Sequence, residues 1–76
     1  MTNTDALREK IKESGLKMQY IADNLDLSIY GLSLKISNRN EFKASEIACL
    51  CELLNITSLK EKDALFFASD IDLKSN

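Results

Sequence analysis

Apolar positions recur along this chain with a helical period from the first residues almost to the last. Leu7 and Ile11 stand at i and i+4, after Thr4, whose hydroxyl suits an N-cap, and before Ser14-Gly15, where glycine accepts a left-handed backbone cheaply. They predict a first helix, with Leu16 plugging the core from the turn. A second segment, about Met18 to Asn24, sets Ile21, Ala22 and Leu25 on one side. The bend Asp26-Leu27-Ser28 follows, and Ser28 is a good N-cap for a third helix from Ile29 to about Ile36. Within it Ile29, Leu32 and Ile36 obey the i, i+3, i+7 rule and should face the core, while Tyr30 and Leu34, one i, i+4 step apart, point outward.

Ser37-Asn38-Arg39-Asn40 makes a polar turn, with Asn38 as its left-handed residue. A fourth helix, about Ala44 to Leu54, carries a core stripe of Ile47, Leu50, Cys51 and Leu54 and stops at Asn55. Thr57 or Ser58 then starts a fifth, over roughly Ser58 to Phe67. There Ser58-Leu59-Lys60-Glu61 fits the capping box, in which serine and glutamate satisfy each other's orphan amides. The remaining ASDIDLKSN is polar, with Ile71 and Leu73 alternating as in a short strand or a frayed end. The pattern predicts an all-α, compact five-helix fold. It forms one domain over residues 1–76, with a core over about 5–67 and a tail over 68–76, and no internal repeat or linker.

Size and composition narrow the function. A chain of 76 residues builds one modest core, burying about 60% of its unfolded surface. At 45% hydrophobic and 29% charged residues it falls among soluble globular proteins. The net charge of −2 hides an asymmetry: residues 1–43 hold seven Lys/Arg against six Asp/Glu, and residues 44–76 three against six. A local basic patch can therefore meet phosphates under a negative total. No signal peptide or twenty-residue apolar run is visible, so the cytoplasm is expected and a membrane is not. Cys49 and Cys51 lie about 200° apart on a helix and cannot share a metal or a disulfide. Cys51 should be core and Cys49 a partly exposed thiol. There is no histidine, no phosphate-cradling glycine loop and no pair of carboxylates in an evident apolar pocket. An enzyme, a metal, a cofactor or a small-molecule ligand is accordingly not expected.

Two short helices joined by a tight bend, inside five helices, carry a resemblance. Ile21-Ala22, the turn Leu25-Asp26-Leu27-Ser28, and Leu32, Lys35 and Ile36 match the phage-repressor-like helix-turn-helix family (lambda repressor/Cro type, also called XRE). EFKASEIACLCELLNITSLKEKDALFF is similar to the fourth and fifth helices of small phage and prophage regulators of that family. The resemblance spans about residues 6 to 68, with Asp26 standing where the family commonly has glycine. Aspartate is one of the few residues that accepts the positive φ such a bend requires.

The resemblance implies a lambda-repressor-like domain whose helix 3 lies in the major groove of double-stranded DNA, with helix 2 across the backbone. The base-reading positions are then Ser28, Ile29, Tyr30, Ser33 and Leu34, so Ile29 belongs to both the core and the outward set. The family usually places glutamine, asparagine or arginine at several of them. Here serine hydroxyls could bond to base edges, and Ile29 or Leu34 could pack on a thymine methyl. Phosphates would be met by Lys17, Lys35, Arg39 and Lys43, and by the amides of Met18 and Gln19 at the start of helix 2. Taken singly, those cations also read as ordinary solvated surface.

A transcriptional regulator of this kind, a repressor, would bind as a homodimer on a two-fold-symmetric site. Leu59, Leu65, Phe66, Phe67, Ile71 and Leu73 are the candidate contact, although Phe66 and Phe67 could instead close the monomer core. The competing expectation is a helix-turn-helix scaffold that binds protein, with Tyr30 and Leu34 as apolar anchors.

Overall fold

Residues 1–69 are described by the structure, a computed structural model. Among them are five α-helices and no strand: α1 (Thr4–Ser14), α2 (Met18–Asn24), α3 (Ile29–Ile36), α4 (Ala44–Leu53) and α5 (Leu59–Phe66). No helix among the described residues is long and apolar enough to cross a membrane. Ile71 and Leu73 lie outside the described residues.

The turns form where small polar residues or glycine tolerate left-handed backbone. Gly15 (φ 73°), Asp26 (φ 61°), Asn38 (φ 68°) and Asn55 (φ 56°) each stand in a bend that follows a helix. For an L-residue that conformation is costly, and Asn and Asp bear it better than most because their side chains can bond locally. Asp26 thus occupies the α2–α3 bend in the conformation its side chain was expected to allow, and Leu27 N–H reaches back to the Ala22 carbonyl at 2.9 Å.

Helix starts follow their caps, with one shift. Asn3, not Thr4, caps α1: its Oδ1 accepts from the Ala6 N–H at 3.2 Å. Thr4 is the first helical residue, and its hydroxyl donates instead to the Ile36 carbonyl at 2.6 Å, tying α1 to the end of α3. Ser28 and Ser58 cap α3 and α5, accepting from the N–H groups of Gly31 (2.9 Å) and Glu61 (3.3 Å). The Glu61 carboxylate turns to Lys10 at 2.9 Å, so the first turn of α5 is paired with α1.

One core joins all five helices: Leu7 and Ile11, Ile21, Ala22 and Leu25, Leu32 and Ile36, Ile47 and Leu50, with Leu54 and Ile56 after α4 and Leu65 and Phe66 from α5. Phe42, in the α3–α4 connection, packs its ring edge-on against Phe66, 5.7 Å between centroids at 88°. Two assignments change. Ile29 is 44% exposed, because it opens α3 at the flank of the Leu32–Ile36 side. Cys51 is only half-buried, as is Cys49; both are free thiols packed against the core, and burial pushes the Cys51 thiol up from its ordinary value.

The N-terminal residues act as a stitch. Thr2 N–H donates to Asn38 Oδ1 and Asn38 Nδ2 donates to the Thr2 carbonyl, both at 2.7 Å. Asn3 N–H donates to the Leu65 carbonyl (2.8 Å) and Ala68 N–H to the Met1 carbonyl (2.9 Å). The chain start thereby joins the end of α3 to the end of α5. Asn38→Gly, which keeps the backbone conformation but deletes the side chain's hydrogen bonds to Thr2 and Thr4, should lower stability by about 1–2 kcal/mol in urea denaturation. Asn38→Ala should cost about 1 kcal/mol more, through the positive φ.

Candidate functional site

The outer side of α3 is the surface that the sequence singles out, and its orientation is set from beneath. Leu32 and Ile36 are buried, and Lys35, three positions after Leu32, falls on that inner side too. Its stem is enclosed and its ammonium contacts both oxygens of Glu46, at 2.6 and 2.8 Å. Glu46 is the third residue of α4, and its Oε1 also accepts the Lys43 N–H at 2.8 Å. Burial alone would raise the Glu46 carboxyl. The hydrogen bonds from Lys35 and from the Lys43 amide, with the charges of both lysines, outweigh it and hold the group below its ordinary 4.5. The start of a helix is also where a carboxylate is favoured.

This pair corrects the expectation that Lys35 offers its charge to a phosphate. The side chains of Lys35 and Glu46 are 10% and 8% exposed, and the ammonium is directed into α4. The signal was present in the spacing: Lys35 keeps the i+3 register of Leu32, and Glu46 stands three residues after the residue that caps α4.

Of the other residues assigned to phosphate, Lys17, Arg39 and Lys43 are exposed. Lys17 caps α2, Arg39 follows α3, and Lys43 caps α4, so the three bracket the helix-bend-helix unit along the chain. Asp23, Asp26 and Glu41 are exposed in the same span, which therefore carries as many exposed carboxylates as exposed cations. α2 starts at Met18 without a side-chain cap. The Gln19 side chain is engaged within the helix, donating to Asp23 at 2.7 Å.

Among the base-reading candidates, Tyr30 is 71% exposed and Ser33 is exposed. Leu34 is half-buried, and its carbonyl receives the Arg39 N–H at 2.9 Å and the Asn40 N–H at 3.2 Å. Ser28 is exposed, but its oxygen already serves as the cap of α3. Gly31 has a local reason: a Cβ there would lie 3.2 Å from that capping oxygen. Tyr20, on the exposed side of α2 and 52% accessible, is a further candidate that the spacing of apolar residues does not single out.

The candidate dimer contact is divided. Leu65 and Phe66 are each 5% exposed and belong to the monomer core, since α5 turns that side toward α1 and Phe42. Leu59 and Phe67 remain open, at 76% and 59%. Phe67 borders a cavity of about 180 Å³ with Met1, Thr2, Asn38, Glu41 and Phe42.

Comparison with protein-family models, with curated proteins and with solved structures finds no match to this chain.

Two outcomes follow from the ion pair. Lys35→Met leaves the Glu46 carboxylate buried without its partner and should cost about 3 kcal/mol in urea denaturation at pH 7. Adding Glu46→Gln should recover most of that loss. Second, the folded carboxyl titrates below its unfolded value, so its contribution is complete above about pH 4.5 and is lost as pH falls through the folded value. Acid should therefore destabilise the native chain more steeply than the double variant.

Proposed function

We propose that this protein is a sequence-specific, double-stranded DNA-binding regulator of transcription, a phage-repressor-type helix-turn-helix repressor. In this reading α3 enters the major groove and α2 crosses the backbone. The observation that carries it is the outer side of α3, where Ile29, Tyr30 and Ser33 stand clear of the globule on a helix anchored at both ends. Exposed Lys17, Arg39 and Lys43 border it in sequence and supply phosphate contacts that set register without reading bases. The uncapped amides of Met18 and Gln19 add neutral donors.

Three free cations opposed by three carboxylates make a weak electrostatic footprint, so one copy would bind loosely. A homodimer on a two-fold-symmetric site answers that, with half-sites one helical turn, about 34 Å, apart. Leu59 and Phe67 are the apolar side chains that α5 leaves for its contact. The work would be done in the cytoplasm, by occupying an operator.

A second reading has its own support. Tyr20, Ile29 and Tyr30 expose a large apolar and aromatic area on the same two helices, and aromatic anchors are common at protein interfaces. A helix-turn-helix scaffold that docks on a protein would use them, with half-buried Leu34 at the margin.

The two separate on binding to random duplex DNA at about 50 mM salt. The DNA reading expects retention that declines with salt, and Arg39→Ala or Lys43→Ala should each flatten the log–log slope by about 0.9. The Lys35→Met/Glu46→Gln variant should keep the parental slope, since Lys35 spends its charge internally. Failure to retain any duplex at that salt would refute the DNA reading.

A further inference from the structure

Distinguishing a base by paired hydrogen bonds takes a guanidinium for guanine or a carboxamide for adenine. The outward positions of α3 hold neither: they carry Ile29, Tyr30, Ser33 and Leu34. The hydroxyl of Ser28, just before them, accepts the Gly31 N–H as the cap of the helix. What the helix presents in its first turn is the alkyl side chain of Ile29, 44% exposed, beside the ring of Tyr30. In docked recognition helices it is the N-terminal residues that reach the base edges. Ile29 is also outside the set of side chains that build or pad the core, so burial within the monomer does not account for it.

Among the four ordinary bases, thymine alone offers an apolar group, its 5-methyl, to the major groove. Resting on the DNA reading above, we propose that α3 selects sites by their thymine methyl groups, with Ile29 as the principal contact and the Tyr30 ring beside it. The exposed cations Lys17, Arg39 and Lys43 supply the attraction to a phosphate backbone, and the alkyl surface supplies the choice of base. Leu34, half-buried further along the helix, is a lesser contact. Sites chosen in this way are rich in A·T pairs where the first turn of α3 sits. A uracil edge differs from thymine there only in the missing methyl.

The test uses the full chain and duplexes enriched by it from a random pool, resynthesised with uracil for thymine within the contacted region or only in the flanks. Uracil in the contacted region should weaken binding by about fourfold for each methyl buried, and uracil in the flanks should change nothing. Ile29→Ala should bind thymine and uracil duplexes alike, and Ile29→Val should keep an intermediate preference. Their circular dichroism and urea midpoints should match the parent, because Ile29 lies outside the core. Equal affinity for thymine and uracil duplexes, with DNA binding intact, overturns the methyl assignment and leaves the DNA reading standing. A gain on cytosine-methylated duplex without any loss on uracil substitution also overturns the thymine assignment. Absence of binding to every duplex overturns both together.

Discussion

The ion pair between Lys35 and Glu46 is the constraint on which the presentation of α3 depends. A helix of eight residues is too short to persist on its own and takes its stability from what it packs against. Leu32 and Ile36 provide apolar anchorage on the inner side of α3. The Lys35 ammonium adds a polar anchor on that side by engaging both oxygens of a carboxylate in the first turn of α4. Removing two charges from water is expensive, and the cost is offset only because Glu46 has three donor contacts, one of them the Lys43 amide. The charge of Lys35 is spent inside the fold.

Around that pair, the ends of α3 are held by other means. Asp26 and Asn38 take left-handed backbone on either side, Ser28 closes the first turn, and Thr4 bonds the last carbonyl of the helix. Asn38 is at once a turn residue and a side-chain bridge to Thr2, so the chain start helps to fix the far end of α3. The same N-terminal residues bond Leu65 and Ala68. The surface that α3 offers is thus stiffened from the opposite end of the sequence.

That stiff surface is alkyl and aromatic rather than cationic. With Lys35 withdrawn, the exposed charges between residues 17 and 43 balance. Affinity for a polyanion would come from a few placed contacts and from doubling the domain, not from a broad positive field. Selectivity would come from shape and methyl contacts instead of paired hydrogen bonds. Leu59 and Phe67 are left open on α5 and at its end.

Much of the architecture could be read in the chain because it is local. The 3.6-residue period picks out Ile21, Ala22, Leu32, Ile36, Ile47 and Leu50. The stops at Gly15, Asp26, Asn38 and Asn55 follow from which residues tolerate positive φ. The shift of the α1 cap from Thr4 to Asn3 was beyond local reading, because the Thr4 hydroxyl is claimed by Ile36, a residue thirty-two positions away. Lys35 differs in degree: its i+3 spacing from Leu32 marks an inward position, but a lysine there is either a snorkelling surface charge or a buried one, and only the arrival of Glu46 from α4 selects between them. Likewise Leu65 and Phe66 differ from Leu59 and Phe67 not in chemistry but in which side of α5 meets α1 and Phe42. Sequence by itself determined the helices, most of their ends and most of the core, since these rest on neighbours within a few residues. Tertiary packing alone decided which charges stayed free and which apolar side chains stayed exposed, since each depends on a partner brought from elsewhere in the chain.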